Sequence, residues 1–165
     1  MKKVFLLFIV SFLAISVSRA QTNWVKYKVD GKLSISVPSQ PVEVTRGLMS
    51  QTKDGLICLI GNIQATDSVQ LNKMIVNGDF ANSLKTTMLG DMKGVSFGNV
   101  KPGKWHGHYC FSVDGENYNN NLMAYFFYVI IGRYVYTFGC MFPEGQSEKN
   151  KDYFFNSLTL NFPNG

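Results

Sequence analysis

Histidine is nearly absent from this chain. In 165 residues there are two, His106 and His108. A closed structural zinc site takes four ligands, so histidine alone cannot build one here. Cysteine is scarce and odd in number: Cys58, Cys110 and Cys140 cannot all pair with one another, and at most one bridge can form. Each lies in an apolar, strand-like run where a buried thiol behaves as a small hydrophobe, so three free thiols are expected. Charged residues make up 16% of the chain, with no Lys/Arg cluster to track a phosphate backbone, and nucleic acid is thereby excluded as a partner. The nucleophile-elbow pattern G-x-S-x-G, internal repeats and low-complexity segments are absent as well.

One long apolar run is present, at the start: "MKKVFLLFIVSFLAISVSRAQ". Lys2 and Lys3 precede it, only serines interrupt Val4 to Val17, and Ser18-Arg19-Ala20 places small residues where a signal peptidase reads. This is the pattern of a cleaved secretory signal, residues 1–20, with the scissile bond between Ala20 and Gln21. A membrane anchor takes about 20 apolar residues, more than this run offers, and no lipobox cysteine follows it. The densest later run, Leu122 to Ile131, is strand-sized, so no membrane span is expected after the signal. The expected destination is periplasmic or extracellular.

Loss of the signal removes Lys2, Lys3 and Arg19 and no acid. The mature chain then has 13 basic against 11 acidic side chains, a net charge of +2. Its length, residues 21–165, suits one domain with a real core, and the 13 Phe and eight Tyr of the whole chain supply large apolar area.

Along that domain the turn chemistry is explicit. "WVKYKV" (Trp24–Val29) runs through Asp30-Gly31 into "KLSISVP", where Leu33, Ile35 and Val37 alternate with Ser34 and Ser36, the period of a half-buried strand. Val42–Ser50 and Leu56–Gln64 read as a second strand pair turning at Asp54-Gly55. From Ser68 the period lengthens: Leu71, Ile75 and Val76, then Phe80, Leu84 and Met88, form a helical stripe. Asn77-Gly78-Asp79 interrupts it, so either a kink or two helices with Asp79 capping the second is expected. Strands are expected over Gly94–Lys101, Trp105–Val113 and Leu122–Ile131, with turns at Pro102-Gly103 and in the loop from Asp114-Gly115 through "ENYNNN". Gly132-Arg133 then leads into "YVYTFGCM". The last two strands are apolar at nearly every position, which means that both faces of the sheet are covered. A closing helix from about Ser147 buries Phe154, Phe155 and Leu158, and "LTLNF" adds a short final strand.

The opening "Y…DGKLSISVPSQP" (Tyr27 to Pro41) and the ending "RYVYTFGC" (Arg133–Cys140) with "YFFNSL" (Tyr153–Leu158) resemble PsbP-like domains, the group of photosystem II extrinsic protein P. The resemblance implies an α+β fold: a single-domain α/β/α sandwich with a central, mainly antiparallel sheet. That fold is shared by a Ran-binding nuclear protein and by small bacterial envelope proteins of unassigned activity. The residues carrying the resemblance are core and turn positions, and the ion and photosystem contacts of the plant proteins have no matching motif here.

Chemistry is concentrated in "KWHGHYC" (Lys104–Cys110). Read as one strand, it puts His106, His108 and Cys110 on a single face, with neighbours about 6.5–7 Å apart, so that the two histidines reach one Zn²⁺ or Cu²⁺. The alternative is an ordinary strand with polar residues near its end. "GNVKPGKW" (Gly98–Trp105) nearly matches a phosphate loop, but Trp105 replaces the Mg²⁺-binding hydroxyl and a strand follows where a helix is required. Tyr125, Tyr128, Tyr134 and Tyr136 line a cleft or reach water from the core. The sequence therefore predicts no catalytic residues and no cofactor, with His106 and His108 as the only metal candidates. The function expected is that of an exported, non-enzymatic binding or assembly module whose partner is an envelope protein or a small ligand. The alternatives are a metal-dependent or thiol enzyme using His106, His108 and Cys110, and a carrier of lipid or another apolar ligand.

Overall fold

The computed structural model describes residues 24–45, 47–92 and 94–161. The expected signal and its Ala20–Gln21 junction lie outside these residues. In chain order the elements are β1 (Val25–Lys28), β2 (Leu33–Val37), β3 (Val42–Val44), β4 (Gly47–Gln51), β5 (Ile57–Gln64), α1 (Ser68–Val76) and α2 (Asp79–Asp91). There follow β6 (Val95–Phe97), β7 (Lys101–Trp105), β8 (His108–Asn117), β9 (Leu122–Ile131), β10 (Tyr134–Pro143), α3 (Lys149–Asn156) and β11 (Thr159–Leu160).

Asp30 builds the first hairpin. Its Oδ1 accepts from the backbone N–H groups of Lys32 (2.7 Å) and Leu33 (3.0 Å), the local self-bonding that makes Asp a turn residue. β11 returns from the far end of the chain to pair with the other edge of β2, giving a small sheet in the order β1-β2-β11. Ser34, expected to face water, is buried beneath this closing segment, and its Oγ donates to Asn161 Oδ1 at 2.8 Å.

The other eight strands form one antiparallel sheet, β3-β4-β5-β10-β9-β8-β6, with β7 also paired to β8. β6 takes the Gly115–Asn117 half of that edge and β7 the His108–Ser112 half. Three expectations about this region need correction. Val42–Ser50 is two strands, because the chain reverses between Val44 and Gly47. Pro102-Gly103 is not a turn but lies within β7, an outer strand where the missing proline N–H costs no ladder bond. The reversal falls instead at His106-Gly107, whose φ angles of +48° and +82° are the doubly left-handed pair of a two-residue hairpin turn. Asp114-Gly115 also stays inside a strand. A side chain at Gly115 would meet the Phe97 ring, its Cβ 2.7 Å from Cδ1, and the chain turns later, through Tyr118–Asn121.

Both faces of the large sheet are covered, as the unbroken apolar runs of β9 and β10 require. On one face Leu71, Ile75 and Phe80 of the α1–α2 pair close over Phe111, Phe126 and Val135. Asp67, one residue ahead of the expected start, caps α1 by accepting from Val69 and Gln70. On the other face Phe154 and Leu158, with Leu33, Ile35 and Val37 of the small sheet, pack on Tyr136, Phe138 and Cys140. The second cover is thus a helix and a small sheet together. The fold is α+β with a central antiparallel sheet. Among the described residues no helix is long and apolar enough to cross a membrane.

Candidate functional site

The second cover does not extend across the whole sheet. α3 and the small sheet sit over β5, β10 and part of β9, and the β7–β8 end is left open as a groove of about 440 Å³. Strand alternation supplies its floor: Tyr125 and Phe127 face the groove while Ala124, Phe126 and Tyr128 face the helix pair. Trp105 and Lys101, four residues apart on β7, occupy the same face. The wall is one stripe of α3, with Lys151 and Phe155 at helical i, i+4 spacing.

The aromatic rings of the floor contact one another and the core beside it. Trp105 and Phe127 lie edge to face at 6.5 Å, and Tyr125 stacks on Phe142 at 5.7 Å. The charges are paired. Lys101 Nζ lies 3.3 Å from Asp114 Oδ1. Lys151 bonds Glu148 and Asp152 and stands 4.4 Å from the Tyr125 ring centroid. Burial works against the charge on Lys151, but the hydrogen bonds to Glu148 and Asp152 outweigh it and raise its pKa, so the ammonium is held protonated. Burial, reinforced by Glu148, pushes the Tyr125 phenol up and keeps it neutral. Such a surface recognises flat or apolar groups through its rings and leaves little unbalanced charge for a polyanion.

The structure distributes the sequence's site residues differently from the one-strand reading. "KWHGHYC" is a hairpin: His106 lies in the turn, its ring 4.6 Å from that of Trp105, while His108 opens β8 opposite Trp105 and Cys110 lies opposite Gly103. The shared face of three alternating side chains is therefore reduced to His108 and Cys110. Burial raises the Cys110 thiol pKa, and a thiol held neutral is a poor nucleophile. No group of three or more His, Cys, Asp and Glu placed to hold a metal occurs among the described residues.

Of the four tyrosines, Tyr125 lines the groove and Tyr128 packs under the helix pair. Tyr134 is half-buried with Lys32 Nζ 4.3 Å from its ring centroid. Tyr136 is fully buried, and its hydroxyl donates to Asp30 Oδ2 at 2.5 Å. Trp105, Phe127, Lys101 and the α3 stripe were not anticipated. The Lys151–Phe155 spacing was visible, but nothing local says that α3 borders β7.

No protein-family model and no curated protein sequence matches this chain. Solved structures do match it. The solution structure of cyanobacterial PsbP (CyanoP) from Synechocystis sp. PCC 6803 superposes with a TM-score of 0.63 at 12% identity, over 87% of this chain and 95% of that one. A crystal structure of a protein from Bacteroides thetaiotaomicron VPI-5482 gives a TM-score of 0.51 at 13% identity, over 85% of this chain and 49% of that one. The chain has a PsbP-like fold. At these identities the likeness is one of fold, and function must be argued from the groove.

Proposed function

We propose that this chain is an exported, non-enzymatic binding module of the cell envelope, and that the groove between α3 and β7–β9 holds a segment of a partner protein. The observation that carries the reading is the groove itself: Trp105, Tyr125, Phe127 and Phe155 gathered in one open concavity whose lysines are already paired with acids. Pockets of this size and lining hold a few apolar or aromatic side chains, and an open groove admits a segment of chain. The PsbP-like fold supports a module that acts by contact, and the signal-like start of the sequence supports the envelope as its place.

Two measurements test this. A photo-crosslinking amino acid replacing Phe155, with the same probe at exposed Tyr118 as control, is introduced into the protein in its own cells. The expected result is a discrete protein adduct from the Phe155 position, mapped by mass spectrometry to one apolar segment and absent at Tyr118 and in a Trp105→Ala, Phe127→Ala background. Lipid adducts alone would turn the reading toward the carrier. Identical adducts at both positions would overturn the groove as the site. For location, N-terminal analysis of exported protein is expected to begin at Gln21, or its cyclised form; retention of residues 1–20 would remove the export assignment.

A further inference from the structure

Cys58 and Cys140 are direct cross-strand partners in the β5–β10 ladder, both fully buried and both on the face that packs against the small sheet and α3. The phase of that ladder is fixed at its end. Ala65 N–H donates to Arg133 O at 2.8 Å, one step beyond the Gln64–Tyr134 pair. Hydrogen-bonded pairs alternate from there, through Ile63–Val135 and Leu59–Gly139, so Cys58–Cys140 falls at a non-hydrogen-bonded position. Opposed Cα atoms at such positions approach to about 4.5 Å, inside the range of about 4.4–6.8 Å that a disulfide spans. Cys110 has no such neighbour. β9 separates its strand from β10, and its partners are Gly103 and Val129. Two strand spacings are about 9.6 Å.

We propose that Cys58 and Cys140 are a dithiol pair that closes to a disulfide, locking β5 to β10, when the folding chain meets a disulfide-bearing oxidant. The structure described is the reduced form, with all three thiols free. In the reaction one cysteine thiolate attacks a sulfur of the oxidant's disulfide, forming a mixed disulfide and expelling a thiolate. The second cysteine then attacks the protein sulfur of that mixed disulfide. The Cys58–Cys140 bond forms, the oxidant leaves as two thiols, and the two cysteines have together lost two protons and two electrons to it. Burial pushes the Cys140 thiol up to about 12 and Cys58 higher still, with Cys140 adding to the rise at Cys58. Exchange in the closed sheet is therefore slow in both directions, and the bond is made while the strands assemble and is afterwards shielded from reductant.

The test refolds the full chain from denaturant in mixtures of oxidised and reduced glutathione, quenches with acid, and alkylates in denaturant without reductant. The expected result is one modified thiol per chain, Cys110, and a cross-linked peptide joining the Cys58 and Cys140 segments. Cys110→Ser is expected to keep that cross-link and lose the last modifiable thiol. Once folded, the oxidised protein is expected to resist dithiothreitol at least tenfold longer than it does in denaturant. Three modified thiols at every glutathione ratio, or a bridge that includes Cys110, would overturn the proposal.

Discussion

Replacing Phe138 with alanine is expected to lower the free energy of unfolding by about 3–5 kcal/mol, the range for truncating a buried aromatic side chain. Phe138 has no exposed surface and packs, with Tyr136 and Phe154, between the large sheet and its second cover. Phe126→Ala is expected to cost about as much, but on the opposite face. Its ring lies directly over Gly139, where an added Cβ would sit 2.5 Å from Phe126 Cε1. The backbone of β10 and the ring of β9 therefore fit each other with no slack, and the truncation leaves a void that neither strand can close. Val42→Ala on exposed β3 is expected to move stability by no more than about 0.5 kcal/mol. Urea unfolding of the three variants checks the pattern. Unmoved midpoints for both phenylalanine variants would show that β9 and β10 are not the centre of a doubly covered sheet.

The same pair of strands shows what was legible in the sequence. The apolar runs of β9 and β10 announced two covered faces, and the stripe from Leu71 to Leu84 announced the helices over one of them. Asp30-Gly31 and Gly132-Arg133 gave two hairpins correctly, because the residues that favour a tight turn were used for one. Asp114-Gly115 misled for a physical reason: a glycine whose missing side chain admits Phe97 has the same letter as a glycine that turns the chain. His106-Gly107 misled in the other direction. Histidine is among the few side chains enriched in the left-handed region, and His106 uses it here, but the alternation of "HGHYC" has the period of a strand and so suggested a strand through what is its turn. The groove was illegible from local pattern. Its floor comes from β7, β8 and β9 and its wall from α3, and the juxtaposition depends on β11 drawing the C-terminal end of the chain onto β2.

Asp30 carries the last expectation. Burial opposes its ionisation, but the hydrogen bonds from the Tyr136 hydroxyl and from the N–H groups of Lys32 and Leu33 outweigh it and lower its pKa. Tyr136 shifts the other way. Burial, then the bond to Asp30, raises its pKa and keeps the phenol neutral. Asp30→Ala removes the turn's acceptor and leaves a hydroxyl on a fully buried residue without its acceptor, at an expected cost of about 2–4 kcal/mol. Tyr136→Phe keeps the turn and loses one charge-assisted bond, at about 1.5–3 kcal/mol. The pH dependence has a definite sign. A lowered carboxyl pKa gives stability that is complete above the unfolded value of about 3.9 and is lost as pH falls through the folded one. A raised phenol pKa gives stability that is complete below about 10 and is lost as pH rises through the folded one. The wild-type protein is expected to hold a plateau between these limits. Tyr136→Phe should lower that plateau, weaken the acid limb and delete the contribution of this residue to the alkaline limb. Thermal midpoints from pH 2 to pH 11 decide the matter: a Tyr136→Phe curve superimposable on wild type would mean that the Asp30–Tyr136 bond contributes nothing to holding the first hairpin against the large sheet.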